Sequence, residues 1–333
     1  MKNHSICLLG GDGIGPEVIE QAVRVLQALP LSFTFTTGEV GFAAYQKTGS
    51  PLPQETVAKI RAAEATLFGA VTTPPNLPGY FSPVIRMRQM FDLYANIRPC
   101  KSLPHPTSRP GLDMVIVREN TEDLYSGVER VEDGGNRAIS EMIITRRASE
   151  RIVRKAFELA QQGGYTKVTI VHKANVLRET CGLFRRVAFE VAAHYPAIRA
   201  EEMLVDTCAM ELVRAPEQFQ VIVTTNLFGD ILSDEASMLV GGLGVAYSGN
   251  IGDTAAIFEP VHGSAPKLAG QGKANPAATV LSAALMLDYL GETAQAARLR
   301  QAVLSALEQG LTTEDLGGTL GTRQAADAII QFL

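Results

Sequence analysis

Short apolar runs divide this chain, at 6–9, 65–71, 112–118, 167–171 and 219–223, and each stops at a loop of glycine, proline or charged residues. Runs of this length bounded by turn residues read as strands of a buried sheet. Between them the spacing changes to a helical one. Val18, Ile19, Ala22, Val25, Leu26 and Leu29 follow the first run, 148–161 precedes the fourth, and 231–240 follows the last. Strands alternating with helices give an α/β fold, in which ligands collect at the C-terminal ends of the strands. With 333 residues, there is room for two domains or one large body with an insertion. Hydrophobic residues, at 46%, suffice for either core.

The last strand leads into Asn-Leu-Phe-Gly-Asp-Ile-Leu-Ser-Asp at 226–234. Asn226 and Gly229 read as a turn, with a helix starting near Asp230. Asp230 and Asp234 then lie four apart on one helix face. Carboxylates that close repel unless a cation lies between them. An all-oxygen pair suits Mg²⁺ or Mn²⁺ better than zinc. Asp206, at the end of the apolar 203–205 run, offers a third carboxylate. The plainer alternative makes Asp230 a helix cap and leaves Asp234 in water.

Arginines point to the other half of the chemistry. Arg86, Arg88 and Arg98 stand among apolar residues, and Arg118 ends the 112–118 run. A planar guanidinium matches a carboxylate in bidentate fashion, so arginines aimed at one pocket would bind a di- or tricarboxylate. Any one of them alone reads as a surface ion pair. Tyr125, just beyond a strand, is a candidate proton donor if its pKa is lowered, and otherwise a packing residue. Lys173, at the end of the 167–171 strand, is a candidate acid/base; neighbouring His172 reads as a catalytic histidine or a hydrogen-bonded structural one.

The first strand runs into glycines 11, 13 and 15 with Pro16 behind them, which sits well in the first turn of a helix. This is GxGxG, not the GxGxxG of a Rossmann pyrophosphate turn, and a tight strand-to-helix connection accounts for it. Thr72-Thr73-Pro74-Pro75 leaves the second strand as a ligand-contacting loop or a rigid turn. The segment 127–144 is a polar excursion returning to an apolar strand, read as an insertion or dimer-forming arm.

Composition narrows the partners. A net charge of −5 gives no reason to expect nucleic acid. The four cysteines lack CxxC spacing and are expected to be free thiols in a reducing compartment. Met1 to His4 lead straight into a strand with no signal-peptide core, and no apolar run approaches the ~20 residues that span a bilayer. The expectation is a cytoplasmic protein with no membrane partner.

Taken together, GDGIGPE (11–17), MRQMFDLYANIRP (87–99), VRENTEDLY (117–125), HKANVLR (172–178), NLFGDILSDEAS (226–237) and EPVHGSAP (259–266) carry a resemblance. Over nearly its whole length the chain resembles the β-decarboxylating dehydrogenases, which include isocitrate, homoisocitrate and 3-isopropylmalate dehydrogenases. The resemblance implies an α/β two-domain fold of that family's own kind, distinct from the usual Rossmann fold. It puts 1–97 and 241–333 in a coenzyme-side domain, and 98–240 in a substrate, metal and dimerisation domain with an arm at about 126–145. By the same likeness Arg88, Arg98 and Arg118 hold the malate carboxylates, and Tyr125 and Lys173 do acid/base work. Asp206, Asp230 and Asp234 surround Mg²⁺ or Mn²⁺. Thr72, Asn175, His262, Gly263, Ser264, Ala265, Lys267 and Asn275 line the coenzyme cleft. Lys173 and Asp206 would come from a partner subunit, making the active species a homodimer or a tetramer of the same chain.

Ser82, Val84 and Ile85 fall where these enzymes contact the group at C3 of malate. The serine resembles isocitrate and homoisocitrate members, while Val84 and Ile85 suit an isopropyl group. The expected order is isocitrate, then homoisocitrate, then 3-isopropylmalate. Lys267 stands where NAD-using relatives carry an aspartate, and it would attract a 2′-phosphate. Leu268 and Ala274 lack the partners seen in NADP users, and 312–318 resembles the NAD pattern, so NAD is expected with NADP as the alternative. A non-catalytic regulatory subunit would lack Tyr125, Lys173 or an aspartate, and none is lost. A metal-dependent hydrolase is the remaining class.

Overall fold

The computed structural model describes residues 3–74, 77 and 80–333; Met1, Lys2 and Pro75 of the proline loop lie outside them. In chain order the elements begin β1 (Asn3–Gly11), α1 (Gly15–Gln27), β2 (Ser32–Gly38), α2 (Phe42–Thr48), α3 (Gln54–Ala62), β3 (Ala65–Ala70) and α4 (Pro83–Met90). There follow β4 (Ala95–Lys101), β5 (Asp113–Glu119), β6 (Glu129–Glu132), β7 (Arg137–Ser140), α5 (Arg146–Gly163), β8 (Lys167–His172) and α6 (Thr180–Ala192). The chain continues with β9 (Arg199–Leu204), α7 (Val205–Arg214), β10 (Val221–Thr224) and α8 (Asn226–Leu239). It ends with β11 (Tyr247–Ile251), β12 (Ala256–Pro260), α9 (Ala277–Tyr289), α10 (Thr293–Glu308) and α11 (Thr322–Gln331).

These elements form two compact units, one of residues 1–91, 102–110 and 237–333, the other of 92–101 and 111–236. In the first, the strands run β2-β1-β3-β12-β11, parallel except for the β11–β12 pair. A Rossmann sheet would be built from consecutive strands in one sense. Here the chain's last two strands complete the first three, one of them reversed, so the fold is α/β but not Rossmann. α9 is buried nearly all round, from Ala277 to Leu287, and forms the centre of the core with α1, α10 and α11. A helix apolar on every side needs such a position. α1 instead buries one face, Val18, Ile19, Ala22, Val25 and Leu26, as its spacing predicts.

The second unit runs β4-β5-β10-β8-β9, antiparallel only at β4–β5. α5 buries Ile152, Val153, Ala156, Phe157 and Ala160. Its start is fixed by Thr145, whose hydroxyl accepts from the Ala148 N–H at 3.2 Å, and its end by Gly164 in the left-handed region at φ 71°. The polar excursion forms a β6–β7 hairpin, but its apolar return is not a strand. There Ile143 makes a single bridge to Asp123, whose side chain accepts from the Leu124 N–H of the neighbouring turn. All four cysteines are buried free thiols. Among the described residues no helix is long and apolar enough to cross a membrane.

Candidate active site

β10 ends at Thr224, and α8 begins at Asn226, four residues earlier than Asp230. The expected turn at Asn226 and Gly229 is therefore helix. Asp123, from the loop after β5, accepts from the Leu227 N–H at 3.0 Å and so caps the helix start. Gly229 is a packing glycine: a Cβ there would fall 2.6 Å from Arg118 Cγ and 2.7 Å from its Cβ. Asp230, a full turn into the helix, is not its cap.

Asp230 and Asp234 do share a face, and arginines occupy them. Arg98 Nη1 donates to Asp234 at 2.9 Å and to Ser233 Oγ at 2.6 Å, its Nη2 lies 3.4 Å from Asp230, and its Nε is held by Asn96 at 2.8 Å. Arg118, 1% exposed, donates to Asp230 from Nη1 and to Asn226 Oδ1 from Nε at 2.9 Å. One guanidinium thus touches both aspartates. The donor set fits a hard divalent ion as two of its ligands, with others still needed for a full oxygen shell.

Tyr125 joins the same group. Its hydroxyl donates to Asp230 Oδ2 at 2.5 Å, and the Arg118 guanidinium lies 5.0 Å from its ring centroid. Its pKa is raised, not lowered as a role in proton donation would ask. Burial acts first and the Asp230 carboxylate adds to it; Arg118 opposes them and loses.

Lys173 and Asp206 form a separate pair. β8 and β9 are parallel neighbours with His172 opposite Leu204, so the residues just beyond their ends meet, and the lysine donates to the aspartate. That bond holds the Asp206 carboxyl below its usual range. Among the described residues no three carboxylate, histidine or cysteine side chains converge as a metal site, so Asp206 does not join Asp230 and Asp234. His172 is buried and structural, bonded through Nε2 to Glu202 at 3.2 Å and accepting from the Ala174 N–H, with burial keeping it neutral. Asn175 is exposed in the following loop.

In the first unit, Arg88 on α4 reaches Glu259 on β12 at 3.4 Å, and Asn250 on β11 holds the same carboxylate oxygen at 2.7 Å. Of the four arginines, Arg98 and Arg118 thus converge on Asp230, while Arg88 is tied to Glu259. Arg86 lines a cavity of about 360 Å³ with Phe81, Ser82, Ile85 and Gln89; Val84 is not among its walls. Asn96, Ser233, Glu259 and Asn250 went unread in the sequence because nothing local marks a residue whose task is to hold a distant one.

The coenzyme-side candidates of this unit gather around the glycine turn. Thr72 Oγ1 and Ser264 Oγ are 2.7 Å apart. The turn turns its own amides inward, Asp12 N–H to Ala70 O, Ile14 N–H to Ser264 O and Gly15 N–H to Asp12 O. They are not free to cradle a phosphate, which agrees with the missing GxGxxG. The glycines serve close packing: a Cβ at Gly11 would lie 1.9 Å from Ala70 O, and one at Gly13 2.0 Å from Ser264 O. His262 bonds Gly263 O through Nδ1, and burial keeps it neutral, leaving Nε2 a buried acceptor without a partner among the described residues. Ala265 sits at φ 38° and turns the chain toward exposed Lys267, whose ammonium meets no partner among the described residues. Asn275 donates to Asp315 at 3.1 Å, and Thr313 takes the other oxygen of that carboxylate. Both acids near 314 are exposed; Asp315 is tied in this way, and Glu314 lies 3.7 Å from Lys273.

A curated isocitrate/homoisocitrate dehydrogenase of Thermus thermophilus is 53% identical over 331 residues, covering 99% of this chain and 98% of that one. A 3-isopropylmalate dehydrogenase of Methanothermobacter thermautotrophicus is 49% identical, covering 100% and 99%. The crystal structure of isocitrate dehydrogenase from Methylococcus capsulatus superposes with a TM-score of 0.95 at 44% identity, covering 99% of each chain. The family description isocitrate/isopropylmalate dehydrogenase matches residues 5–329, and with these relatives it makes the chain a member of that family of decarboxylating dehydrogenases.

Proposed function

We propose that the chain oxidises and decarboxylates a 3-substituted malate, isocitrate to 2-oxoglutarate and CO₂ before others, with NAD as coenzyme and Mg²⁺ or Mn²⁺ as cofactor. The observation that carries this reading is the array on α8, two carboxylates bridged by Arg98 and Arg118 with the Tyr125 hydroxyl on Asp230. When bound, the nicotinamide takes a hydride and the cation lends positive charge to oxygens where negative charge develops. Arg98 and Arg118 exchange their aspartates for substrate carboxylates, and Arg88, steadied by Glu259, takes a further one. Lys173 takes the proton of the 2-hydroxyl through a water as the hydride leaves. Loss of CO₂ from the β position leaves an enolate whose carbon Tyr125 protonates.

The same reading makes the active species a homodimer, or a tetramer of it, in the cytoplasm. Lys173 and Asp206 of one copy complete the carboxylate and tyrosine cluster of its partner, which accounts for their separation from that cluster within one chain. Homoisocitrate is the second reading, favoured by the cavity at Ser82, Arg86 and Gln89, whose polar side chains suit a longer acid ending in a carboxylate.

The test compares kcat/KM for isocitrate, homoisocitrate and 3-isopropylmalate with each coenzyme, with and without chelator. A preference for 3-isopropylmalate would overturn the tricarboxylate reading. Full activity in chelator would remove the metal. Formation of no reduced coenzyme from any of the three acids would return the chain to a regulatory role. Asp230→Asn should lower kcat/KM on the order of 10²–10³-fold at ordinary Mg²⁺, since one charge is lost from an oxygen site.

A further inference from the structure

The glycine turn holds a charged residue that the reaction does not use. Asp12 lies between the positive-φ glycines Gly11 and Gly13 and is 8% exposed. A buried carboxylate needs donors, and this one has three, all backbone amides from other parts of the chain. Its Oδ2 accepts from Phe42 and Thr72, each at 2.8 Å, and its Oδ1 from Ala43 at 2.9 Å. Room for it is made by Gly41, at φ 93°, where a Cβ would fall 2.3 Å from Asp12 Oδ2. Thr72 is then held at further points. Its carbonyl accepts from Tyr80 Oη at 2.9 Å, and its hydroxyl meets Ser264 Oγ at 2.7 Å. Burial, with the Asp12 charge second, pushes the Tyr80 phenol up to about 12, so it stays a donor. Ser264 is in turn bound to the turn itself through its carbonyl and Ile14 N–H at 2.9 Å.

We infer that Asp12 is a positioning residue for the coenzyme: its carboxylate clamps the start of α2 and the loop after β3, and so fixes Thr72 and Ser264 at the distance and angle that coenzyme binding requires. The inference rests on the reading that Thr72 and Ser264 contact coenzyme. It gives the glycine turn a role the phosphate cradle does not. The turn commits the amides of Asp12, Ile14 and Gly15 to its own packing and carries an anion to which the neighbouring loops are tied. An Asp12→Asn side chain retains one acceptor and faces its NH₂ toward an N–H, so the loop carrying Thr72 loosens.

The experiment measures the Kd of reduced coenzyme by its fluorescence, with no substrate present, for wild type, Asp12→Asn, Thr72→Val and Ser264→Ala. Kinetic constants and amide exchange at Phe42, Ala43 and Thr72 are read beside it. Expected for Asp12→Asn is binding weaker by roughly 10–100-fold, as for a contact displaced by about an ångström. Exchange should be faster at those three amides together, with kcat at saturating coenzyme and KM for the acid close to wild type. A fall in kcat with unchanged coenzyme affinity would overturn the inference. So would wild-type affinity in Asp12→Asn when Thr72→Val binds weakly; that result leaves the coenzyme reading standing. Wild-type affinity in both Thr72→Val and Ser264→Ala would instead sink the coenzyme reading, and the inference with it. Should Asp12→Asn not fold, Asp12→Glu carries the test, since it keeps the charge and moves the oxygens by one methylene. Undiminished coenzyme affinity there would show that the clamp positions nothing.

Discussion

Glu122 shows how far a residue's role can depend on a partner that local sequence does not reveal. Burial pushes its carboxyl up to about 7, against the two hydrogen bonds it accepts from Thr145. A carboxyl raised in the folded state gives stability that is full below its unfolded pKa and is lost as pH rises through about 7. Glu122→Gln should flatten the part of the pH–stability curve lying between about 4.5 and 7, read by urea unfolding at several pH values. A curve that keeps its slope would assign the effect elsewhere. Gly229 makes an opposite case. Inside a helix, alanine for glycine normally stabilises by about 1 kcal/mol. Here the added carbon meets the stem of Arg118, and Gly229→Ala should raise KM for the acid about 10–100-fold while circular dichroism stays native. Lys267→Asp should shift kcat/KM toward NAD by removing an exposed ammonium and supplying an acceptor for the ribose hydroxyls. A wild-type preference for NADP that collapses in this variant would show that the lone lysine decides.

Among the elements, β1, β3, β5, β8 and β10 and the helices α1 and α5 were legible because their apolar runs and spacing answer to buried faces, whereas β2, α2 and α3 carry no such signal and went unread. α1 and α5 bury the residues that their periodicity selects. The start of α8 was not legible. Asn226 and Gly229 have turn propensity, and their place in the helix is set by distant residues: Arg118, more than a hundred positions away, bonds one and packs on the other, and Asp123 caps the start. Asp230 and Asp234 could be paired from spacing alone, whereas their arginine partners could be named only as arginines near carboxylates. The glycine turn was separable from a phosphate loop by its spacing, yet the fate of its amides needed the strand ends around it. At the start of α5, Thr145 both caps the helix and donates to Glu122. Thr145→Ala should therefore cost about 1–2 kcal/mol, measured as a shift in the urea midpoint. A loss within a few tenths of a kcal/mol would mean that neither bond matters to the fold.

For the whole molecule, the division of site residues into an α8 cluster and a Lys173–Asp206 pair sets a test that no single variant provides. Lys173→Met and Tyr125→Phe should each abolish turnover. Mixed, unfolded and reassembled in equal amounts, they should recover about a quarter of wild-type activity, since half the dimers are mixed and each mixed dimer holds one intact site. No recovery would mean that each chain works alone. The α8 cluster has a further consequence, for the order in which ligands arrive. Arg98, Arg118, Asp230 and Asp234 sum to no net charge, and every charge in the group already has a counter-ion. A dication entering alone would have to displace guanidinium groups and leave them facing it; a polyanion entering alone would strand the aspartates. A cation and an acid that enter together leave the group as neutral as before, with the partners exchanged. On the proposed reading the group would act as a small ion exchanger that takes up only a salt. Each ligand should accordingly tighten the other's binding by the same factor, and titration calorimetry of metal with and without acid would read that factor directly.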